Sequence, residues 1–278
     1  MAGPTGIPDQ HPWTRTRARL RGPVGAVAVL AVLALGIFGA DLYGITTVSG
    51  GGTVTSGGRP RTGLARPAAV QVPVPGSRVA YGSGPYVDLY ASPDAPYPVV
   101  RMPNPWLLNG AVPIQLVFLV EDQPSTTWAQ VLLPMRPDGL RGWIRTNQVR
   151  IMSDPWRIDI SVGAHLILIH RGAQLVYQGP VATGAPATPT PLGDYFIRVL
   201  LHSTDRASPY GPYAYGFSAH SDALTTYNGN DAELGLHGSD DRAALGTSVT
   251  LGAVRMDNSE ITVLAAVLPL GTPVHIGP

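Results

Sequence analysis

Apolar and polar positions alternate in short runs along most of the chain, and one long apolar run stands apart from them. Val24 to Ala40 carries no charge and lies between Arg21 and Asp41. At ~1.5 Å per helical residue the run falls slightly short of a ~30 Å hydrocarbon core, and Leu42, Tyr43 and Ile45 extend it across the interface. Arg15, Arg17, Arg19 and Arg21 precede it, which keeps the N-terminus cytoplasmic and turns the remainder outward. The pattern predicts a basic cytoplasmic segment over residues 1–22 and a single-span anchor over 23–45, hence a membrane localisation. The alternative is a cleaved signal peptide and a secreted protein: Ala34 and Gly36 form a small-x-small pair, although the preceding polar segment is long for one. Over residues 46–77 the composition shifts to Gly, Thr, Pro and Arg, as in SGGGTVTSGG and PAAVQVPVPG, without apolar periodicity, and reads as a flexible linker.

Beyond the linker, VDLY, IQLVFLVED, WAQVLLPM and GWIRTNQVRI are short strand-like runs separated by turn signals, which predicts a small antiparallel β-barrel over residues 78–152. Trp128, the Arg136-Pro137-Asp138-Gly139 turn and Gly142-Trp143 resemble the small bacterial barrels of the Src-homology type. Trp106, Trp128 and Trp143 are assigned to barrel packing rather than to a binding groove, because aromatics of this kind are mostly buried. A second β-rich domain is expected over residues 154–278, from RIDISV, HLILIH, the Arg171-Gly172 turn, LVYQGPV and DYFIRV. Asp257 stands three residues before Glu260 and ahead of an apolar run ending at Pro269, the start and stop signals of one C-terminal helix. The expected fold class is mainly β, and the 33 Gly and 28 Pro point the same way, since helix interiors tolerate few of either.

Composition narrows the chemistry. The formal charge is +1 and the N-terminal arginine cluster supplies much of the basic character, so the rest is a poor electrostatic match for nucleic acid. Every basic residue is Arg; with no Lys, Schiff-base chemistry and lysine bases are excluded. There is no Cys either, which fits an oxidising compartment and removes disulfides, thiolate metal sites and cysteine nucleophiles together.

From Arg157 to Ile276 the chain resembles the catalytic domain of L,D-transpeptidases of the YkuD type. The blocks that carry the resemblance are ATPTPLGDYFI at Ala187 to Ile197, GPYAYGFSAHSD at Gly211 to Asp222, ELGLHG at Glu233 to Gly238, ALG at Ala244 to Gly246, TLGAVRMDN at Thr250 to Asn258 and LPLGTPVHI at Leu268 to Ile276. Family members carry a His in the ELGLHG-like block and, some fifteen residues on, a Ser/Thr-His-Gly-Cys-x-Asn/Arg signature. Here His237 matches the first His, Thr250 the Ser/Thr, Gly252 the Gly and Arg255 the basic last position. Leu251 stands where the catalytic His belongs and Ala253 where the Cys belongs. The resemblance therefore assigns Ala253, Leu251, Gly252 and His237 to the catalytic positions and Arg255, Thr250, His220 and Tyr213 to substrate binding.

The family reaction needs a thiolate to attack the amide of a peptidoglycan stem tetrapeptide, expel D-alanine and hold an acyl-enzyme for the acceptor amine. A methyl group cannot attack, and an isobutyl group neither lowers a thiol pKa nor carries a proton. The double loss reads as natural divergence, because deliberate inactivation usually changes the nucleophile alone. The resemblance thus implies an inactive relative that faces the cell wall and binds stem peptides or scaffolds a protein partner whose identity the sequence leaves open. The alternative is an active transpeptidase or hydrolase using Ser248, Thr250 or a metal held by His220, Asp222 and His237; the histidines are scattered, so no metal or other cofactor is expected. Arg255 is a candidate ligand for a stem-peptide carboxylate, with an ion pair to Asp240, Asp241 or Asp257 as the competing assignment.

Overall fold

A computed structural model describes residues 76–108 and 112–278; the basic segment, the anchor and nearly all of the linker fall outside the described residues. No described helix is long and apolar enough to cross a membrane. The described chain is mainly β, with one short α-helix.

The first unit contains β1 (Ser77–Gly82), β2 (Tyr86–Tyr90), β3 (Val100–Pro103), β4 (Trp106–Leu108), β5 (Val112–Ile114), β6 (Val117–Asp122), β7 (Trp128–Leu132), β8 (Arg141–Arg145) and β9 (Val149–Asp154). All but the β4–β5 hairpin form one antiparallel, barrel-like sheet in the order β3-β2-β8-β7-β6-β1-β9. Its interior is Ala80, Val87, Leu89, Met102, Phe118, Val131 and Ile144, contributed by strand positions that face inward. The predicted run GWIRTNQVRI is two strands rather than one, because Thr146–Gln148 form a single 3-10 turn that bends the chain from β8 into β9. Gln148 ties that bend to β2, accepting from the Asp88 N–H and donating to the Asp88 carboxylate, each at 3.1 Å. The Arg101 guanidinium beside Asp88 holds its carboxyl below the usual carboxylate range. Trp128 is buried edge-on against Tyr90 at 5.0 Å, with Arg145 over its other side at 4.4 Å, so its role is packing.

The second unit contains β10 (Trp156–Ser161), β11 (Leu166–Arg171), β12 (Gln174–Pro180), β13 (Thr183–Gly184), β14 (Gly193–His202), β15 (Tyr213–His220), β16 (Thr226–Tyr227), β17 (Asn230–Asp231), β18 (Glu233–Ser239), β19 (Ser248–Thr250), β20 (Val254–Asp257), helix α1 (Asn258–Ala265) and β21 (Pro273–Gly277). Eight of these make a sheet in the order β12-β11-β10-β21-β14-β15-β18-β20. Period-two alternation explains the core: Ile158 and Ile160 on β10 lie opposite Ile169 and Ile167 on β11, and all four are buried. Val274 and Ile276 continue the layer on β21, while His275 between them points out to Asp194 at 2.7 Å. Asp257 caps α1, accepting from the Ser259 N–H at 2.8 Å, and Ile261 and Leu264 bury the inner face. The helix stops at Ala265, ahead of the Pro269 that marked its end in the sequence.

The two units are joined through a shared core. Phe196 of β14 is fully buried in a cluster with Val117 of β6 and Leu132 of β7. Beside it, the Tyr81 hydroxyl donates to the Leu270 carbonyl and the Thr272 hydroxyl to the Asp154 carboxylate, both at 2.7 Å. Burial pushes the Asp154 carboxyl up, against the hydrogen bonds from Trp156 and Thr272. Gly271, at φ 89°, lets the chain pass so close to β1 that a Cβ would stand 2.0 Å from Val79 Cγ1.

Candidate functional site

The C-terminal end of β14, the N-terminal half of β15, and residues of β18 and β20 border a cleft of about 510 Å3. Its floor comes from two neighbouring strands: β18 and β20 run parallel with His237 beside Arg255, and β15 pairs on the other side with Ala214 opposite His237. The turn between β19 and β20 brings Thr250, Leu251 and Ala253 to the same cleft, and Tyr213 joins them from β15. His220 does not line the cleft; it is buried at the junction with the barrel, where its ring meets the Asp138 carboxylate at 2.5 Å. Ser248 stays outside as well, its hydroxyl 3.4 Å from that of Thr183.

The turn from Thr250 to Ala253 is held from all sides. Its Thr250 hydroxyl donates to the Ala253 carbonyl at 2.5 Å and accepts from the Gly252 N–H at 3.1 Å. The Thr190 hydroxyl donates to the Gly252 carbonyl at 2.9 Å, and the Thr188 hydroxyl and Ala185 N–H both reach the Thr250 carbonyl. Gly252 sits at φ 109°, a left-handed position that a Cβ would strain. The backbone that presents Leu251 and Ala253 is thus fixed, while Leu251 itself is 52% exposed and Ala253 offers only a methyl group. With its hydroxyl committed inside the turn, Thr250 has no hydrogen bond to His237.

His237 is buried, with Nδ1 2.9 Å from the Gly238 carbonyl, which fixes that nitrogen as the N–H donor. Burial, reinforced by the Arg255 charge, pushes its pKa down, so the ring is neutral near pH 7. The Tyr210 ring closes over it edge-on at 5.1 Å, and Tyr227 stands beside the Tyr210 hydroxyl. Arg255 is the unmatched group. Its Nε is buried without a hydrogen-bond partner among the described residues, and Asp257 is taken by Arg242 at 2.6 Å. Asp241 is also used locally, capping the Ala244 N–H. Arg255 lines the cleft, in which Glu233 is paired with Arg198 and Asp231 with Arg136.

Several cleft residues carried no signal in the sequence: Leu108 from the barrel, and His202, whose ring stacks on Tyr213 at 4.8 Å. Tyr210 and Tyr227 belong with them, because they approach the cleft from loops whose paths local sequence does not fix. Among the described residues no cluster of three metal-ligating side chains occurs.

Residues 155–276 match the family model described as the L,D-transpeptidase catalytic domain, YkuD. A Bacillus subtilis (strain 168) protein provisionally named L,D-transpeptidase YkuD is 28% identical over 122 residues, which cover 44% of this chain and 66% of that protein's own length. Its namesake in Bacillus licheniformis is 27% identical over 159 residues, covering 55% of this chain and 88% of that one. Among solved structures, an L,D-transpeptidase from Mycobacterium tuberculosis H37Rv aligns over 58% of this chain and 90% of its own, at 15% identity and a TM-score of 0.40. Over residues 155–276, the chain is therefore similar to the L,D-transpeptidase catalytic domain.

Proposed function

We propose that the protein binds peptidoglycan stem peptides in the His237–Arg255 cleft without turning them over, acting at the cell wall as a binding or scaffolding module held to the membrane by residues 23–45. The observation that carries this reading is the buried, unpartnered Arg255 Nε beside a fixed turn in which Ala253 and Leu251 replace the nucleophile and its base. A guanidinium in that setting is completed by a carboxylate, whose two oxygens match the fork. Neutral His237 and the Tyr210 and Tyr227 rings supply a half-apolar wall suited to a peptide rather than to a bare ion. Turnover would need an activated nucleophile, and the Thr250 and Ser248 hydroxyls are both engaged away from His237.

The test uses the full-length chain with a synthetic stem tetrapeptide and an acceptor amine, following released D-alanine and cross-linked product by mass spectrometry and binding by calorimetry. Binding without D-alanine release is expected from the natural chain, and turnover from the Leu251→His/Ala253→Cys chain, whose side chains re-enter on the same fixed turn. D-alanine release by the natural chain would refute the non-catalytic reading. Absence of peptide binding would refute the ligand.

A further inference from the structure

One wall of the cleft is fastened by the other domain. Between β15 and β18 the chain leaves the main sheet over residues 221–232 and folds into the β16–β17 hairpin, whose strands pair only with each other. This strap supplies Leu224, Tyr227, Asn230 and Asp231 to the cleft and places Tyr227 next to Tyr210, above His237. Besides the two-residue β16–β17 ladder, its internal ties are Ser221 N–H to the Ala232 carbonyl at 2.9 Å, Ala232 N–H to the Thr225 carbonyl at 3.3 Å, the Ala223 and Leu224 N–H groups to the Ser221 hydroxyl at 3.3 and 3.1 Å, and the Asn230 side chain to the Asn228 carbonyl at 3.4 Å. These bonds close within the strap and do not by themselves fix its position against the sheets.

The missing support comes from the β7–β8 turn of the barrel. All three nitrogens of the Arg136 guanidinium are used on the strap: Nη1 donates to the Ser221 carbonyl at 3.0 Å, Nη2 to the Leu224 carbonyl at 3.1 Å and Nε to the Asp231 carboxylate at 3.0 Å. Two residues on, Asp138 accepts from the His220 N–H at 2.8 Å and from its ring at 2.5 Å, and His220 is 2% exposed. The other ring nitrogen of His220 is 3.7 Å from Asp231. One turn of the barrel thereby grips the start, the middle and the end of the strap. On the opposite side, the β4–β5 hairpin packs Leu108 and Ile114 against Val199 and Leu201, and Leu108 and Val199 also line the cleft.

We infer that Arg136 and Asp138 are positioning residues for the cleft: the barrel domain holds the 221–232 strap in its binding position, so that ligand affinity in one domain is set by a turn of the other. The affinity part rests on the stem-peptide reading of the cleft; the positioning part does not. Charge-assisted bonds of this kind are the stronger class, and they end on carbonyls that have no strand partner to replace them.

The experiment is hydrogen exchange by mass spectrometry on the full-length chain, without ligand, for the wild type, Arg136→Met, Asp138→Asn and Arg136→Lys. Arg136→Met and Asp138→Asn are expected to speed exchange across residues 221–232 by about tenfold or more, with β10, β11 and β21 unchanged. Arg136→Lys should give an intermediate rate, because an ammonium cannot span all three acceptors. If the change at part-buried Asp138 disturbs folding, Asp231→Asn removes the strap's side of the grip at a half-exposed position and should loosen the same segment. Unchanged strap exchange in Arg136→Met and Asp231→Asn overturns the inference, as does loosening spread evenly over both sheets. In parallel, calorimetry with the stem tetrapeptide should show affinity falling about tenfold in Arg136→Met. Arg255→Gln should weaken binding while leaving strap exchange alone. If the wild type binds no peptide, the proposed ligand fails and the exchange data still decide the positioning role.

Discussion

Phe196 offers the most direct check on how the two domains are coupled. It lies on β14, in the second unit, yet its side chain is fully buried against Val117 and Leu132 of the barrel, with Tyr81 and Leu270 at the margin. Phe196→Ala removes a ring from a site with no solvent access, and the neighbouring strands, each fixed by its own ladder, cannot collapse into the space. Transfer and cavity terms together put the cost at about 3–5 kcal/mol. With a urea slope of roughly 1–3 kcal/mol/M, the unfolding midpoint should drop by more than about 1 M. The domain in which the loss registers is the sharper readout. Trp106, Trp128 and Trp143 all lie in the barrel, so tryptophan fluorescence weights that unit, whereas far-UV circular dichroism reports both. If the interface is a shared core, both signals shift together. Phe217→Ala, buried wholly inside the second unit's cluster, is the control and should act first on that unit. A cost under about 1 kcal/mol, or a barrel fluorescence transition that does not move in Phe196→Ala, would refute the shared core.

Further outcomes are specific enough to check. His237 has its pKa pushed below that of the unfolded chain, so the unfolded state takes up the proton first; its contribution to stability is complete above about pH 6.5 and is lost as pH falls below that value. Urea denaturation at pH 7.5 and 5 should show a steeper loss for the wild type than for His237→Gln, and equal losses would exclude the effect. Gly271→Ala places a Cβ 2.0 Å from Val79 Cγ1 at a left-handed position, so a cost above about 2 kcal/mol is expected, measured by the same denaturation series. Arg255→Gln should weaken stem-tetrapeptide binding by at least about tenfold in calorimetry while changing stability little, because no internal partner of Nε is lost.

Much of the strand content could be read from local pattern: inward and outward positions alternate along β10 and β11, while β2, β6, β7 and β14 are short apolar runs buried over consecutive positions. The capping residue of α1 was equally legible, because Asp257 acts on an N–H two positions away. The end of that helix was not, because an apolar run continued beyond it to Pro269 and gave no stop at Ala265. Strands β15 and β18 carried weak alternation, as Gly and polar residues interrupt them, and β20 alternates over four residues alone, so the family-like strings marked their place. Within the site, His237, Thr250 and Arg255 were found through those strings and meet in the cleft with Leu251, Ala253 and Tyr213, Gly252 shapes the turn beneath them, and His220 went instead to the domain junction.

What the sequence determined by itself is what depends on residue identity and near neighbours: the absence of Cys and Lys, the residues of the Thr250–Ala253 turn, and the apolar runs of the strands. Tertiary structure alone decided who meets whom at long range. That the Arg255 Nε has no hydrogen-bond partner among the described residues, while Arg242 takes Asp257, follows from the packing of α1 and β20 and not from their spacing. That the Arg136–Asp138 turn ends on residues some eighty or more positions away follows from the shared core around Phe196, which fixes the barrel against the second sheet. Side chains that far apart in the chain have no local preference for each other; only the burial of apolar surface common to both domains brings them within hydrogen-bonding distance.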